Sequence, residues 1–317
     1  MTQRADRILS ELMDAYDRGD LARVEEFASR LGSAHPELRV WCTYVQAGVK
    51  ALGGEPDAGL RLLAAADASG GWWSPALLAD PALATIWPLD DGIRRRSEER
   101  WRAAQERAEV SWDAVRPSSP PQAVVISLHG NGPAPADLFR SLWAELESCA
   151  AFLVRSPQLV ACNVYEWRDR DRAIADLRTV AGAARAEFGS TVPLILAGLG
   201  AGGRTAIVAA LTGAVDAAGA VAFAPHLAPL DDSDLRSAPP IWIFPGGSEA
   251  AVTSCATFAG WARDHGVDCT VRHEAGMGHA FPVRFGATVE SAIGAILGVH
   301  LPVTPAQEGI AWRQPGT

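Results

Sequence analysis

No run of residues in this chain approaches the ~20 apolar positions that a membrane-spanning helix requires, and its opening residues lack the basic-then-apolar pattern of a secretory leader. Clustered positive charge is also missing. The formal charge is −9, and the densest basic run, Arg94-Arg95-Arg96, is followed at once by Glu98 and Glu99, so it reads as a solvated helix face. That balance excludes a phosphate-backbone partner, which would need concentrated Lys and Arg. Cysteines number five, at 42, 149, 162, 255 and 269, odd in count and scattered. They suit reduced core thiols in the cytoplasm better than a disulfide framework or a CxxC metal site. No metal-ligand spacing occurs, and no glycine-rich turn carries the Lys-Ser/Thr of a phosphate loop, so neither a metal nor a cofactor is expected.

What is present is a large supply of core-forming residues: 48% of the 317 positions are hydrophobic and 21% charged, with eleven tryptophans expected at domain contacts or around a pocket. Residues 1–115 read as helical. Ile8, Leu9, Leu12, Met13 and Tyr16 share one helical face, and Gly19-Asp20 breaks that helix and offers Asp20 as the next cap. A second break at Gly53-Gly54-Glu55 lies close to one ~34-residue helical-repeat period further on. A polar helix over 94–110 then leads to the Pro/Ser-rich stretch 116–121, the best linker in the chain.

From 122 to 300 strands and helices alternate. Apolar runs at Ala123–Leu128, Ala151–Val154, Val192–Leu196, Gly219–Phe223, Ile241–Phe244 and Cys269–Arg272 predict a mostly parallel sheet with helices on both faces, and 301–317 an extended tail. Ligands in such sheets bind beyond the carboxyl ends of the strands. Four loops converge there: His129-Gly130-Asn131-Gly132, Gly198-Leu199-Gly200-Ala201-Gly202, Gly246-Gly247-Ser248-Glu249 and Gly276-Met277-Gly278-His279.

In order and spacing these loops resemble HGxG, GxSxG, hGxxD and GxGH of the α/β-hydrolase family, in its carboxylesterase, phospholipase and dienelactone-hydrolase branch. The helices before them resemble, more weakly, the tetratricopeptide-like extensions of some such esterases. The resemblance implies an α/β-hydrolase fold with His279 as base, Glu249 as the acid that orients it (Asp231, Asp232 and Asp234 being the alternatives), Ala201 as one oxyanion donor, and Asn131 or Gly132 as the other. Gly200 holds the nucleophile position and has no hydroxyl, and no cysteine lies in the elbow. Acyl transfer through a serine ester is therefore excluded, whereas base catalysis by His279 on water or on bound substrate is not.

The implied partner is a small carbonyl substrate (ester, lactone or thioester-like), met by hydrolysis or by lyase, dehydratase or cyclase chemistry. The alternative is a non-catalytic relative that binds a ligand, or a protein through the helical domain. His129 is expected to brace its turn, and Trp167 and His226 are candidate pocket walls.

Overall fold

The computed structural model describes residues 5–90, 92–133 and 136–301. All but the first residue of the expected 301–317 tail falls outside them.

Six helices come first: α1 (Ala5–Asp17), α2 (Leu21–Ala34), α3 (Arg39–Leu52), α4 (Pro56–Ala68), the single turn α5 (Pro75–Leu78) and α6 (Ile93–Arg107). Gly19 breaks the chain with φ +69°, and Asp20 caps α2 by accepting the N–H of Arg23 at 3.2 Å. The apolar stripes of α1, α2 and α3 meet in one core around Ile8, Leu12, Val24, Phe27, Leu31 and Leu38. Helix α6 is charged along most of its length. It is held against α4 by Arg96 and Arg100, which both reach the buried carboxylate of Asp67, at 2.8 and 2.6 Å.

The sheet follows. Seven strands run in the order β1-β4-β2-β7-β8-β9-β10: β1 (Ser111–Val115), β4 (Cys149–Arg155), β2 (Ala123–Leu128), β7 (Leu194–Leu199), β8 (Gly219–Phe223), β9 (Ile241–Phe244) and β10 (Cys269–Val271). All neighbours are parallel except β1, which pairs antiparallel with β4. Strands β2 and β7 are buried on both faces, so they read as near-continuous apolar runs, interrupted in β2 by the buried Ser127, as expected of parallel strands covered on both sides. Successive residues alternate between two cores. Val124, Ile126 and Leu128 face α8 (Arg170–Phe188), α9 (Ala201–Leu211) and α10 (Glu249–Asp264); Ala123 and Val125 face α7 (Ala136–Trp143) and α11 (Phe285–Leu297). A mostly parallel sheet clothed on both faces, crossed at its centre by a strand–glycine turn–helix unit and preceded by helices, is the α/β-hydrolase architecture.

Two corrections concern the boundary between the halves. The helical reading of 1–115 ends too late, because Ser111–Val115 is a strand of the main sheet with Val115 opposite Ala151. The Pro/Ser stretch 116–121 accordingly connects two strands of one sheet and does not separate two bodies.

A second, smaller sheet was not anticipated: β3 (Gly132–Pro133), β6 (Val164–Tyr165) and β5 (Leu159–Ala161). The β5–β6 hairpin inserts Val160, Ala161 and Val164 into the core of α3 and α4. Its backbone is met from the helical side by the Trp101 indole N–H on Leu159 O at 2.7 Å and the Gln105 amide on Pro157 O at 2.7 Å, with Trp73 packed beneath. Two of the eleven tryptophans thus stand at the contact between the helical half and the sheet half.

Candidate active site

The centre of the sheet ends in the glycine turn 198–202. Gly200 has φ +55° and ψ −119°, caps α9, and donates its N–H to Phe223 O at 2.8 Å, which ties the turn to the neighbouring strand. A left-handed residue between a strand and a helix is the backbone form of a nucleophile elbow. Glycine holds it without the Cβ penalty other residues meet there. Gly202, two residues on, is required for a different reason: a Cβ there would collide with the carbonyl oxygens of Leu128 and His129. The helix thus crosses directly over the end of β2.

His279 stands over this turn. An ideal Cβ built on Gly200 would lie 3.1 Å from both Cε1 and Nε2 of its ring, so the imidazole edge faces the point where a nucleophile side chain would begin. The ring is largely withdrawn from solvent, and burial lowers its pKa below the ordinary histidine range, with the carboxylate of Asp14 acting in the opposite direction. A neutral imidazole at neutral pH is the form able to accept a proton. Ala201, the first residue of α9, lines the same cleft. It belongs to the first turn, whose N–H groups have no carbonyl partner within the helix.

The cleft measures about 600 Å³ and is bounded by Gly200, Ala201, Arg204, Ala224, His226, Gly246, Ser248 and His279 from the sheet half, and by Met13, Asp14, Asp17 and Arg18 of α1. His226 is exposed and borders the cleft. Ala224, at the end of β8, holds a left-handed φ of +43°, so two adjacent points of the cleft carry unusual backbone. Such strain concentrates at functional sites.

Other expected residues lie elsewhere. Glu249 is the first residue of α10, exposed, and outside the cleft lining, although Ser248 and Ala251 beside it contribute. No described hydrogen bond joins Glu249 to His279. Its place follows from the Ser248 cap, which accepts the N–H of Ala251 at 3.2 Å and starts the helix early. Asn131 uses its amide oxygen to accept the N–H of Trp167 at 2.9 Å, and Gly132 pairs with Tyr165 in the small sheet. Both border a separate hollow beside Glu166 and Arg168. The residue of that turn that approaches Gly200 is Gly130, whose Cα lies 3.9 Å from the same constructed Cβ. Trp167 is 6% exposed: its indole donates to His129 O at 2.8 Å and its ring lies 4.9 Å from the His129 ring.

His129 is the brace of this assembly. Its Nδ1–H donates to Gly130 O at 2.6 Å, and its Nε2 accepts the N–H of Ser156 at 3.1 Å. Only the neutral ring can do both. Burial, followed by smaller and partly opposing effects, takes its pKa down to about 4.

A pH dependence follows. The unfolded chain takes up a proton on this residue below about pH 6.5 and the folded one refuses it until about pH 4. The stability due to neutral His129 is therefore whole above pH 6.5 and drains away as pH falls toward 4, with His279 acting in the same direction. Urea midpoints measured from pH 7.5 to 5, above most carboxylate titration, should show a loss on the order of 2 kcal/mol by pH 5. A flat profile would contradict the neutral brace.

Two further features bear on the site. All five thiols are free, and burial raises their pKa values, to about 12 for Cys42 and Cys149, so none is a ready nucleophile. The second is the docking of α1 onto the histidine loop. Ser10 Oγ accepts the N–H of His279 at 2.9 Å, Asp6 accepts the N–H of Phe281 at 3.1 Å, and Arg7 donates to the carbonyls of Gly276, Met277 and Phe281 at 2.7, 3.2 and 2.8 Å. A signal existed: Asp6, Ser10 and Asp14 recur every four residues and share one helix face.

No helix among the described residues is long and apolar enough to cross a membrane. No protein-family model matches the chain, and no curated protein matches it. Among solved structures, an acyl-protein thioesterase 2 from Zea mays is 16% identical over 59% of this chain and 99% of its own, with a TM-score of 0.49. A carboxylesterase from Bacillus cereus is 15% identical over 62% of this chain and 97% of its own, with a TM-score of 0.48. An uncharacterized protein from Bacillus cereus is 16% identical over 92% of this chain and 97% of its own, also with a TM-score of 0.48.

Proposed function

We propose that this chain is a hydrolase-family enzyme that acts on a small ester, lactone or thioester-like carbonyl without forming an acyl-enzyme. His279 serves as general base, taking a proton from water or from the bound substrate. The N–H of Ala201, at the positive end of α9, stabilises the oxyanion or enolate that develops. The second donor belongs to the turn 130–132. Here Gly130 makes the closest described approach to Gly200, while Asn131 and Gly132 remain the donors that the motif implies.

The observation that carries this reading is the placement of a half-buried, proton-accepting imidazole edge directly over Gly200, in one cleft with the start of α9. A protein that had only lost its nucleophile would have no need to keep that ring withdrawn from water and aimed at the turn. The strained backbone at Ala224 beside it supports the same reading.

The test uses dihydrocoumarin and S-phenyl thioacetate as probes on the full chain. Wild-type protein should turn over at least one of them with no mass adduct on the protein. His279→Ala should reduce kcat by about 10²–10⁴-fold, the usual worth of a positioned base. Equal turnover in wild type and His279→Ala would refute the proposal. Turnover of neither probe, together with saturable retention of either one in the cleft, would make the chain a binding protein instead.

A further inference from the structure

Among the described residues, the lining of the cleft beside His279 includes no carboxylate from the sheet half, and Glu249 is exposed outside it. The helical half supplies one. Helix α1 lies across the mouth of the cleft, and its face carries Asp6, Ser10 and Asp14 at intervals of four residues. The first two are 2% and 5% exposed and are spent on the backbone N–H groups of Phe281 and His279. The third, one turn beyond Ser10, borders the cleft together with His279 itself. With Ser10 bonded to the backbone of residue 279, the next carboxylate on that face is placed on the cleft that the ring of the same residue lines.

We propose that Asp14 is the positioning carboxylate of this site: a residue of the helical half that orients the His279 ring and favours its charged form when it takes up a proton. This rests on the reading of His279 as the base. It also gives α1 two roles, holding the loop by its backbone and serving the ring by its charge. Other charged or titratable groups around the cleft are Asp17 and Arg18 of α1, Arg204 of α9, and His226 after β8. The field that Asp14 exerts on His279 raises the ring's pKa against the stronger effect of burial.

The experiment uses the full chain with ¹³C-labelled histidine, the His279 ring signal being assigned by its loss in His279→Gln. Asp14→Asn should move the titration of His279 to lower pH, and Asp14→Glu should return it toward the parent value. Asp14 is exposed, so neither change removes packing from a core. In a Gly200→Ser background assayed with p-nitrophenyl acetate, Asp14→Asn should lower kcat roughly tenfold with little change in KM, and Asp14→Glu should recover part of that loss.

An unmoved titration in Asp14→Asn, or the same shift produced by Glu249→Gln, would overturn the assignment. The two readings fail separately. If His279→Gln leaves the activity intact, the base is wrong and the titration alone still decides Asp14. If His279→Gln abolishes activity while Asp14→Asn changes neither readout, Asp14 is wrong and the base stands.

Discussion

Gly200→Ser should turn p-nitrophenyl acetate over at least about 10²-fold faster than wild type, through an acetyl-enzyme visible by mass spectrometry. The backbone is already in the form required, with φ +55° between strand and helix, so the substitution adds a hydroxyl to a turn built for one. Two effects oppose it. A non-glycine residue in this region costs about 1–3 kcal/mol. The new Cβ would also lie 3.1 Å from the His279 ring, tighter than ordinary van der Waals contact, so the ring must retreat by a few tenths of an ångström.

Neither cost is decisive. A domain with the usual 5–15 kcal/mol of stability tolerates the first. The second leaves the new oxygen beside Nε2, within reach of the base. Absence of an acetyl-enzyme in a folded Gly200→Ser protein would mean that the ring or the donors are misaimed. Prior ester turnover by wild type at the same rate would mean that the serine adds nothing.

Gly202→Ala should be the most damaging single-methyl change in the molecule. The added carbon would press against the carbonyl oxygens of Leu128 and His129, which are backbone atoms of a strand buried on both faces and cannot yield as a flexible side chain does. Relief would require α9 to lift off the end of β2. That movement would expose part of the core formed by Ala206, Ile207 and Ala210 and displace the His129 brace. Overpacking of a rigid core costs typically 1–3 kcal/mol and more where only backbone can move, so a loss at the top of that range or insoluble expression is expected. Gly182→Ala is the matched control, because a Cβ there would meet nothing within 4 Å and lies in mid-helix, where alanine is favoured. Equal urea midpoints for the two variants would show that the elbow is less tightly crossed than described.

These two substitutions mark what the chain discloses before it folds. Strands β2, β8 and β9 could be placed to the residue, because strands covered on both faces read as near-continuous apolar runs. Strand β1 could not: Ser111-Trp112-Asp113-Ala114-Val115 is a half-buried edge that follows a charged helix after three residues, and its pattern is too short to separate from that helix. Strands β3, β5 and β6 are two or three residues long and exist through their pairing alone.

The site shows the same division. The glycine turn and the histidine loop are local and legible. The environment of Glu249 and Asn131 is not, because one depends on where α10 begins and the other on a tryptophan 36 residues away. The carboxylate of Asp14 reaches the cleft only once α1 has docked; the four-residue recurrence of Asp6, Ser10 and Asp14 marks a helix face but does not say which distant loop it meets.

That docking also constrains the order in which the molecule can be completed. The bonds from Arg7 and Asp6 to the histidine loop span 269 to 275 residues. Helix α1 is synthesised well before the loop it meets, so the bonds of Asp6, Arg7 and Ser10 to that loop form only once those further 269 to 275 residues have been made. During that interval the α1 stripe rests on α2 and α3. Ring closure over so long a loop carries an entropic cost that no local element offsets. Assembly of the cleft is therefore expected among the last events of maturation, after the sheet has formed.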